Sequence, residues 1–358
     1  MSDNKNLSPR KRAAAFADRL GIRMPLLLAP MSGACPPSLS IAVAEAGGMG
    51  GCGALLMKPD AIASWCRDFR QHSAGNFQLN LWIPDPPPMR NRELETRQRE
   101  FLAQWGPPVP PEAGDPNLPD FDAQCQALLA AKPAAISSIM GLYPPAFVAE
   151  MKARGILWFA NATTVAEARA AEAAGADAII AQGMEAGGHR GAFDASVAER
   201  AMVGLVALVP QVADAVSVPV IATGGIADAR AIAAALILGA SAAQIGTAFL
   251  RSKESSIPPA YADQLGRTEA DETMVTRSFS GRPGRCVANS YARAATTVPP
   301  AAYPIQRGLT LAMRDEAIKL GAADRMQMWA GQSAKLARAE PATTIARDLW
   351  AGASLLLP

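Results

Sequence analysis

Eight short apolar runs recur along this chain, separated by alanine-rich stretches of helical character, and that alternation limits the folds open to it. The runs are Leu26 to Pro30, Gly48 to Leu55, Phe77 to Trp82, Ala135 to Met140, Ile156 to Ala162, Ala178 to Gln182, Pro219 to Thr223 and Ala242 to Thr247. Each reads as a buried strand, and segments such as Ser38 to Ala46, Val165 to Ala174 and Ala229 to Leu238 read as the helical returns. Strands that alternate with helices build a parallel sheet. Polar and glycine-rich residues follow many of the eight strands, whereas an open doubly wound sheet gathers its site at one crevice. The pattern therefore predicts an α/β fold, a (β/α)₈ TIM barrel over about residues 20–250, with its site at the carboxyl ends of the strands. The doubly wound sheet is the alternative.

Two stretches interrupt the repeat. After the third strand, residues 83–120 carry ten of the 29 prolines around one helix expected from Asn91 to Gln104. Proline stiffens a segment while barring it from a sheet interior, so this insertion is expected to form a lid or rim at the active-site face, a solvated excursion being the other reading. After the eighth strand, residues 251–358 form a C-terminal extension expected to pack back on the barrel. It includes SFSGRPGR from Ser278 to Arg285, whose arginines either meet an anionic ligand or are solvated.

The 358 residues are half hydrophobic with a formal net charge of +2, and no long basic run argues for nucleic acid or an anionic membrane surface. The polar start, MSDNKNLSPRKR, lacks the apolar core of a signal peptide, and no apolar run is long enough to span a bilayer. Cys35, Cys52, Cys66, Cys125 and Cys286 show no metal-ligand spacing, so no metal is expected, and their scatter suggests reduced thiols in a cytoplasmic protein. The alanine-rich outer helices would permit a homodimer.

The chemistry concentrates in QGMEAGGHRG, Gln182 to Gly191, which follows the sixth strand. His189 is one of two histidines and the only one after a strand; His72 lies late in a predicted helix, where a surface role is the ordinary explanation. An imidazole that titrates near neutrality can take a proton from a carbon acid or, when charged, stabilise an anion. Glu185 is expected to act structurally, accepting a hydrogen bond from the loop backbone or from Arg190. After the seventh and eighth strands, Gly224 and Gly225, then Gly246 and Thr247, offer backbone N–H groups that a phosphate can approach without meeting a side chain, with a helix N-terminus to help.

These stretches, together with LLLAPMSG, AVAEAGGMGG and the late MWAGQSAK, resemble the nitronate monooxygenases, formerly called 2-nitropropane dioxygenases. The resemblance covers roughly Leu26 to Phe249 and returns near Met328. It implies an FMN-dependent barrel enzyme that oxidises alkyl nitronates, and sometimes nitroalkanes, with O2 to carbonyl compounds and nitrite, with His189 as the catalytic residue. Position by position it implies flavin contacts at Ala29, Pro30 and Met31, at Asn80, and at Gln182, Gly187 and Gly188. Further contacts are implied at Gly224 and Gly225, at Gln244, Ile245, Gly246 and Thr247, and at Gly331, Gln332 and Ser333. Flavin-dependent enoyl-acyl-carrier-protein reductases share a similar loop and similar glycines and form the nearest rival reading. A barrel that only binds a phosphorylated metabolite is the non-enzymatic one, which would gain if His189 pointed away from the cavity.

Overall fold

The computed structural model describes residues 7–115 and 117–358; residues 1–6 of the polar N-terminal segment and Pro116 of the insertion lie outside it. In chain order its strands are β1 (Leu26–Leu28), β2 (Gly50–Gly53), β3 (Phe77–Trp82), β4 (Ala135–Ile139), β5 (Leu157–Ala162), β6 (Ala178–Gln182), β7 (Gly188–His189), β8 (Val220–Thr223), β9 (Ala242–Ile245), β10 (Thr273–Thr276) and β11 (Gly284–Val287). Eight of them form one parallel sheet in the order β1-β9-β8-β6-β5-β4-β3-β2. A parallel bridge between Leu27 and Met49 joins the two ends, so the sheet closes into a (β/α)₈ barrel.

Side chains alternate across each strand, and the alternation sorts this barrel into layers. Leu26, Leu28, Ile179 and Ala181 point outward into the main core beneath the helices. Leu27, Phe159, Ile180, Ile221 and Ala242 point into the lumen, where Phe16 from helix Pro9–Arg19 closes the amino end against Phe159. Burying an aliphatic or aromatic side chain of this size is worth roughly 1.5–3 kcal/mol, so this plug contributes to barrel closure. Two residues further along the same strands, the inward positions turn polar: Asn80, Asn161, Gln182, Thr223 and Gln244 are all buried. Most find partners, as in Gln78 Nε2 to Gln244 Oε1 at 2.9 Å and Asn80 Nδ2 to Ser137 Oγ at 3.1 Å, while Asn161 Nδ2 is buried without one among the described residues. The apolar plug thus ends in a polar floor at the carboxyl end.

The insertion and the extension meet above that floor. Helix Arg92–Leu102 of the insertion brings Leu102 into a cluster with Phe279, Tyr291, Ile305 and Met313 of the extension, separate from the barrel core. Gln306 fastens the two, its Nε2 donating to Gln98 Oε1 at 3.0 Å and to Ser278 O at 2.8 Å. The last helix, Ala342–Leu356, instead buries Ile345, Ala346, Leu349 and Ala353 in the main barrel core. Among the described residues no helix is long and apolar enough to cross a membrane, and all five cysteines are free and buried.

Candidate active site

The loop after β6 is a folded ribbon. Gln182 closes it, Nε2 donating to His189 O at 3.1 Å and Oε1 accepting from Gly191 N at 2.8 Å. The amide expected to reach a flavin thus braces its own loop and keeps one N–H and one lone pair beyond these two bonds. His189 and Gly188 then pair with Gly284 and Arg285 of β11, which joins the loop to the extension as an antiparallel sheet β10-β11-β7. At Gly187 a Cβ would lie 2.5 Å from Gly331 N, so only glycine lets the late segment pass this close.

Charged neighbours take different partners from those expected. Glu185 accepts from Leu205 N at 2.9 and 3.1 Å, at the start of helix Leu205–Ala215, and not from Arg190 or its own loop. A carboxylate on an orphan helix N–H is the stronger arrangement, because the helix dipole adds to the hydrogen bond. Arg190 is buried, donating to Gln182 O at 2.7 Å and Ala201 O at 3.1 Å, and burial pulls its pKa down to about 10. The arginines of SFSGRPGR are not solvated. Arg282 donates to Ala192 O at 3.1 Å and faces Asp85 at 3.4 Å, while Arg285 donates to Met184 O at 3.0 Å, so both hold the extension to the strand-end loop.

His189 is one of the residues, with Gln182, Gly188, Arg190 and Arg285, around a small cavity behind the ribbon. Its ring lies between Trp82 and Trp329, with both ring centroids 4.7 Å away, and its Nε2 is 2.7 Å from Ser280 Oγ. Burial, and then the positive charges of Arg282, Arg307 and Arg314, lower its pKa to about 3. The expected titration near neutrality is therefore corrected: the charged form loses hydration and gains cationic neighbours, so the ring stays neutral. His72 is exposed at the end of helix Pro59–His72, 3.1 Å from Asp68, an ordinary surface pair.

The glycines at the ends of β8 and β9 form a second cluster. Gly224 and Gly225 have φ of +118° and +68°. Among the described residues the amides of Gly224, Gly225, Gly246 and Thr247 meet no protein acceptor. A Cβ would come 3.1 Å from Glu185 Cβ at Gly225, and 3.2 Å from Met31 Sδ at Gly246. The late segment folds over this cradle: Gly331 N donates to Thr247 Oγ1 at 3.1 Å, Gln332 N to Glu185 O at 3.0 Å and Ser333 Oγ to Gly225 O at 2.5 Å. Ala29, Pro30 and Met31 leave β1 beside it, Ala29 N bonding Ile245 O at 2.9 Å. At the N-terminus of helix Ala229–Ile237, Asp228 caps Ala231 N at 2.9 Å, one of that end's four orphan N–H groups.

Sequence reasoning missed the residues that surround His189. Trp82 ends β3, and a large aromatic at a strand's carboxyl end was the available signal. Trp329 directly precedes the late motif. Ser280 lies in a stretch noticed only for its arginines, and no local pattern could reveal its partner 91 positions away.

The family model for nitronate monooxygenase matches residues 14–352. A nitronate monooxygenase from Pseudomonas aeruginosa is 39% identical over 342 residues, covering 93% of this chain and 97% of that protein. One from Paraburkholderia phytofirmans is 38% identical over 344 residues, 94% of this chain and 93% of the relative. Among solved structures, nitroalkane oxidase from Streptomyces ansochromogenes superposes with a TM-score of 0.88 at 36% identity, covering 96% of this chain and 98% of that one. FabK from Thermotoga maritima gives 0.74 at 30% identity, with coverage of 95% and 96%. With the family model matched across the fold, and with the strand-end glycines and the GGHRG ribbon in one mouth, the chain belongs to the nitronate monooxygenase family.

Proposed function

We propose that the protein oxidises alkyl nitronates, and neutral nitroalkanes less readily, with O2 to carbonyl compounds and nitrite, using FMN. The observation that carries this reading is a neutral His189 at the barrel mouth beside cationic groups, an environment that favours an anionic substrate over a neutral one.

The residues present fit the cofactor. Four backbone amides without protein acceptors among the described residues, three of them at glycines where a Cβ would be crowded and the fourth at Thr247, suit a terminal phosphate, and Ala29 to Met31 with Gln332 and Ser333 would flank the ring. Asn80, Gln182 and Gln244 would form the polar floor beneath it, Ile245 would offer only its backbone because its side chain lies in the outer core, and Gly187 and Gly188 would stand at its side. When bound, FMN supplies the electron-accepting ring and its reactivity toward O2. The chain's own groups bind and orient. Trp82 and Trp329 would hold the imidazole between them, and the neutral ring would be available to accept a carbon-bound proton from a nitroalkane. General bases work best with a pKa near the working pH, so a ring held near 3 is a poor base and a preformed nitronate is the better substrate.

The test is aerobic turnover by purified holoenzyme. O2 uptake and nitrite release from an alkyl nitronate are expected without NADH or NADPH, and with a nitronate rate well above that for the neutral nitroalkane. Rapid flavin reduction by NADPH with an enoyl thioester as productive acceptor would move the assignment to the reductase reading.

A further inference from the structure

Ser280 Oγ stands at a junction of three groups: His189 Nε2 at 2.7 Å, Arg282 O at 3.2 Å and Arg282 N at 3.3 Å. It is buried, and its hydroxyl has one proton to donate and two lone pairs to accept with. If that proton goes to Arg282 O, the oxygen accepts from Arg282 N–H and from His189 Nε2–H, and every group is satisfied. If it goes to Nε2 instead, Arg282 O loses its only donor among the described residues, and the imidazole proton must sit on Nδ1. Nδ1 meets no acceptor among the described residues and is not sealed among the buried unpartnered atoms. The first arrangement makes one more hydrogen bond and strands no buried carbonyl. Trp82 and Trp329 on either side oppose the ring flip that would exchange the two nitrogens.

We infer that Ser280 is a positioning residue that fixes His189 as the Nε2–H tautomer and leaves Nδ1 as the nitrogen that accepts the substrate's proton. The inference rests on the nitronate reading for the substrate, but not for the tautomer. When Nδ1 takes a proton, Nε2–H still donates to Ser280 and Ser280 still donates to the Arg282 carbonyl, so no hydroxyl has to turn. A base at Nε2 would lose that relay, because its lone pair would face the serine and not the cavity.

The chain holds two histidines, which makes the test direct. In holoenzyme labelled with ¹⁵N-histidine, and with His72→Gln to assign the spectrum, His189 should show Nε2 in the protonated range and Nδ1 in the unprotonated range at pH 7. In Ser280→Ala the two nitrogens should move toward averaged, mixed-tautomer positions. In the same variant kcat on a neutral nitroalkane should fall about tenfold, a part of the roughly hundredfold to ten-thousandfold that a general base contributes, since the base is misoriented and not removed, with flavin content and nitronate KM held. A wild-type spectrum showing Nδ1–H would overturn the inference whatever the enzyme oxidises, and it needs no variant to fold. So would a Ser280→Ala protein that keeps the wild-type tautomer and loses activity equally on both substrates, the mark of a packing defect.

Discussion

The barrel and the cap above it solve the burial of polar groups in different ways. In the barrel the polar side chains come from short strands held in register: Asn80 faces Ser137 on the adjacent strand, Gln78 reaches across the lumen to Gln244, and only Gln78 Oε1 and Asn161 Nδ2 of that floor are left buried without a partner among the described residues. In the cap the partners come from distant parts of the chain: Gln98 meets Gln306, and His189 meets Ser280. There Arg282 Nε and Nη1 and the Tyr303 hydroxyl are buried without a hydrogen bond among the described residues. The barrel is therefore a rigid holder with donors presented at strand ends. The cap uses incompletely compensated cations and aromatic rings to set the electrostatics of one imidazole, which a fully satisfied network would not do.

The largest expected effect breaks the barrel half of this comparison. Gly225→Val places a β-branched side chain at φ +68° and 3.1 Å from Glu185 Cβ, so the cradle must distort. Losing two hydrogen bonds to a charged group, at about 1.5–3 kcal/mol each, should weaken flavin affinity by at least about a hundredfold. Flavin released on desalting, with the circular dichroism spectrum retained, is the expected result; full occupancy in the variant would remove the phosphate from this cradle.

Next in size is the chemistry assigned to the cap. His189→Asn should lower turnover of neutral nitroalkanes by about a hundredfold to ten-thousandfold and nitronate turnover much less, because proton removal is needed only for the neutral form. The ratio within one preparation cancels protein and flavin content. Equal fractional losses on both substrates would leave His189 as a binding group only.

The smallest effect tests whether the cap is held by its polar fastening. Gln306→Leu leaves Gln98 Oε1 and Ala301 N without their partner in a buried setting. A cost of about 1–3 kcal/mol per stranded group should appear in urea unfolding as an early transition of the cap, with flavin binding kept. A single transition at the wild-type midpoint would mean that the apolar cluster around Phe279 and Tyr291 suffices.

The contrast also explains what was legible in the chain. Phe77 to Trp82 and Ala178 to Gln182 are strands over the whole range their apolar pattern predicts, and the helix expected from Asn91 to Gln104 runs from Arg92 to Leu102. The run Gly48 to Leu55 shortens to Gly50–Gly53, since glycines offer no side chains by which to read a strand's limits. Gly225, Gly246 and Thr247 were legible as strand-end positions with open backbone donors, because such donors depend on local residues alone; in the structure their amides meet no protein acceptor among the described residues.

The ribbon pairing Gly188 and His189 with β11, the tryptophan walls and the Ser280 junction were not legible, because each joins segments separated by more than ninety residues or by an irregular loop. The sequence by itself determined an eight-unit barrel and singled out the strand ends and the histidine to which the chemistry is assigned, because period and local turn chemistry are written within a few residues. Only the tertiary structure decided which neighbours hold this histidine and that burial and nearby cations lower its pKa. A pKa and a tautomer depend on charges, burial and hydrogen bonds supplied through space, and the chain brings those together only when insertion and extension close over the barrel.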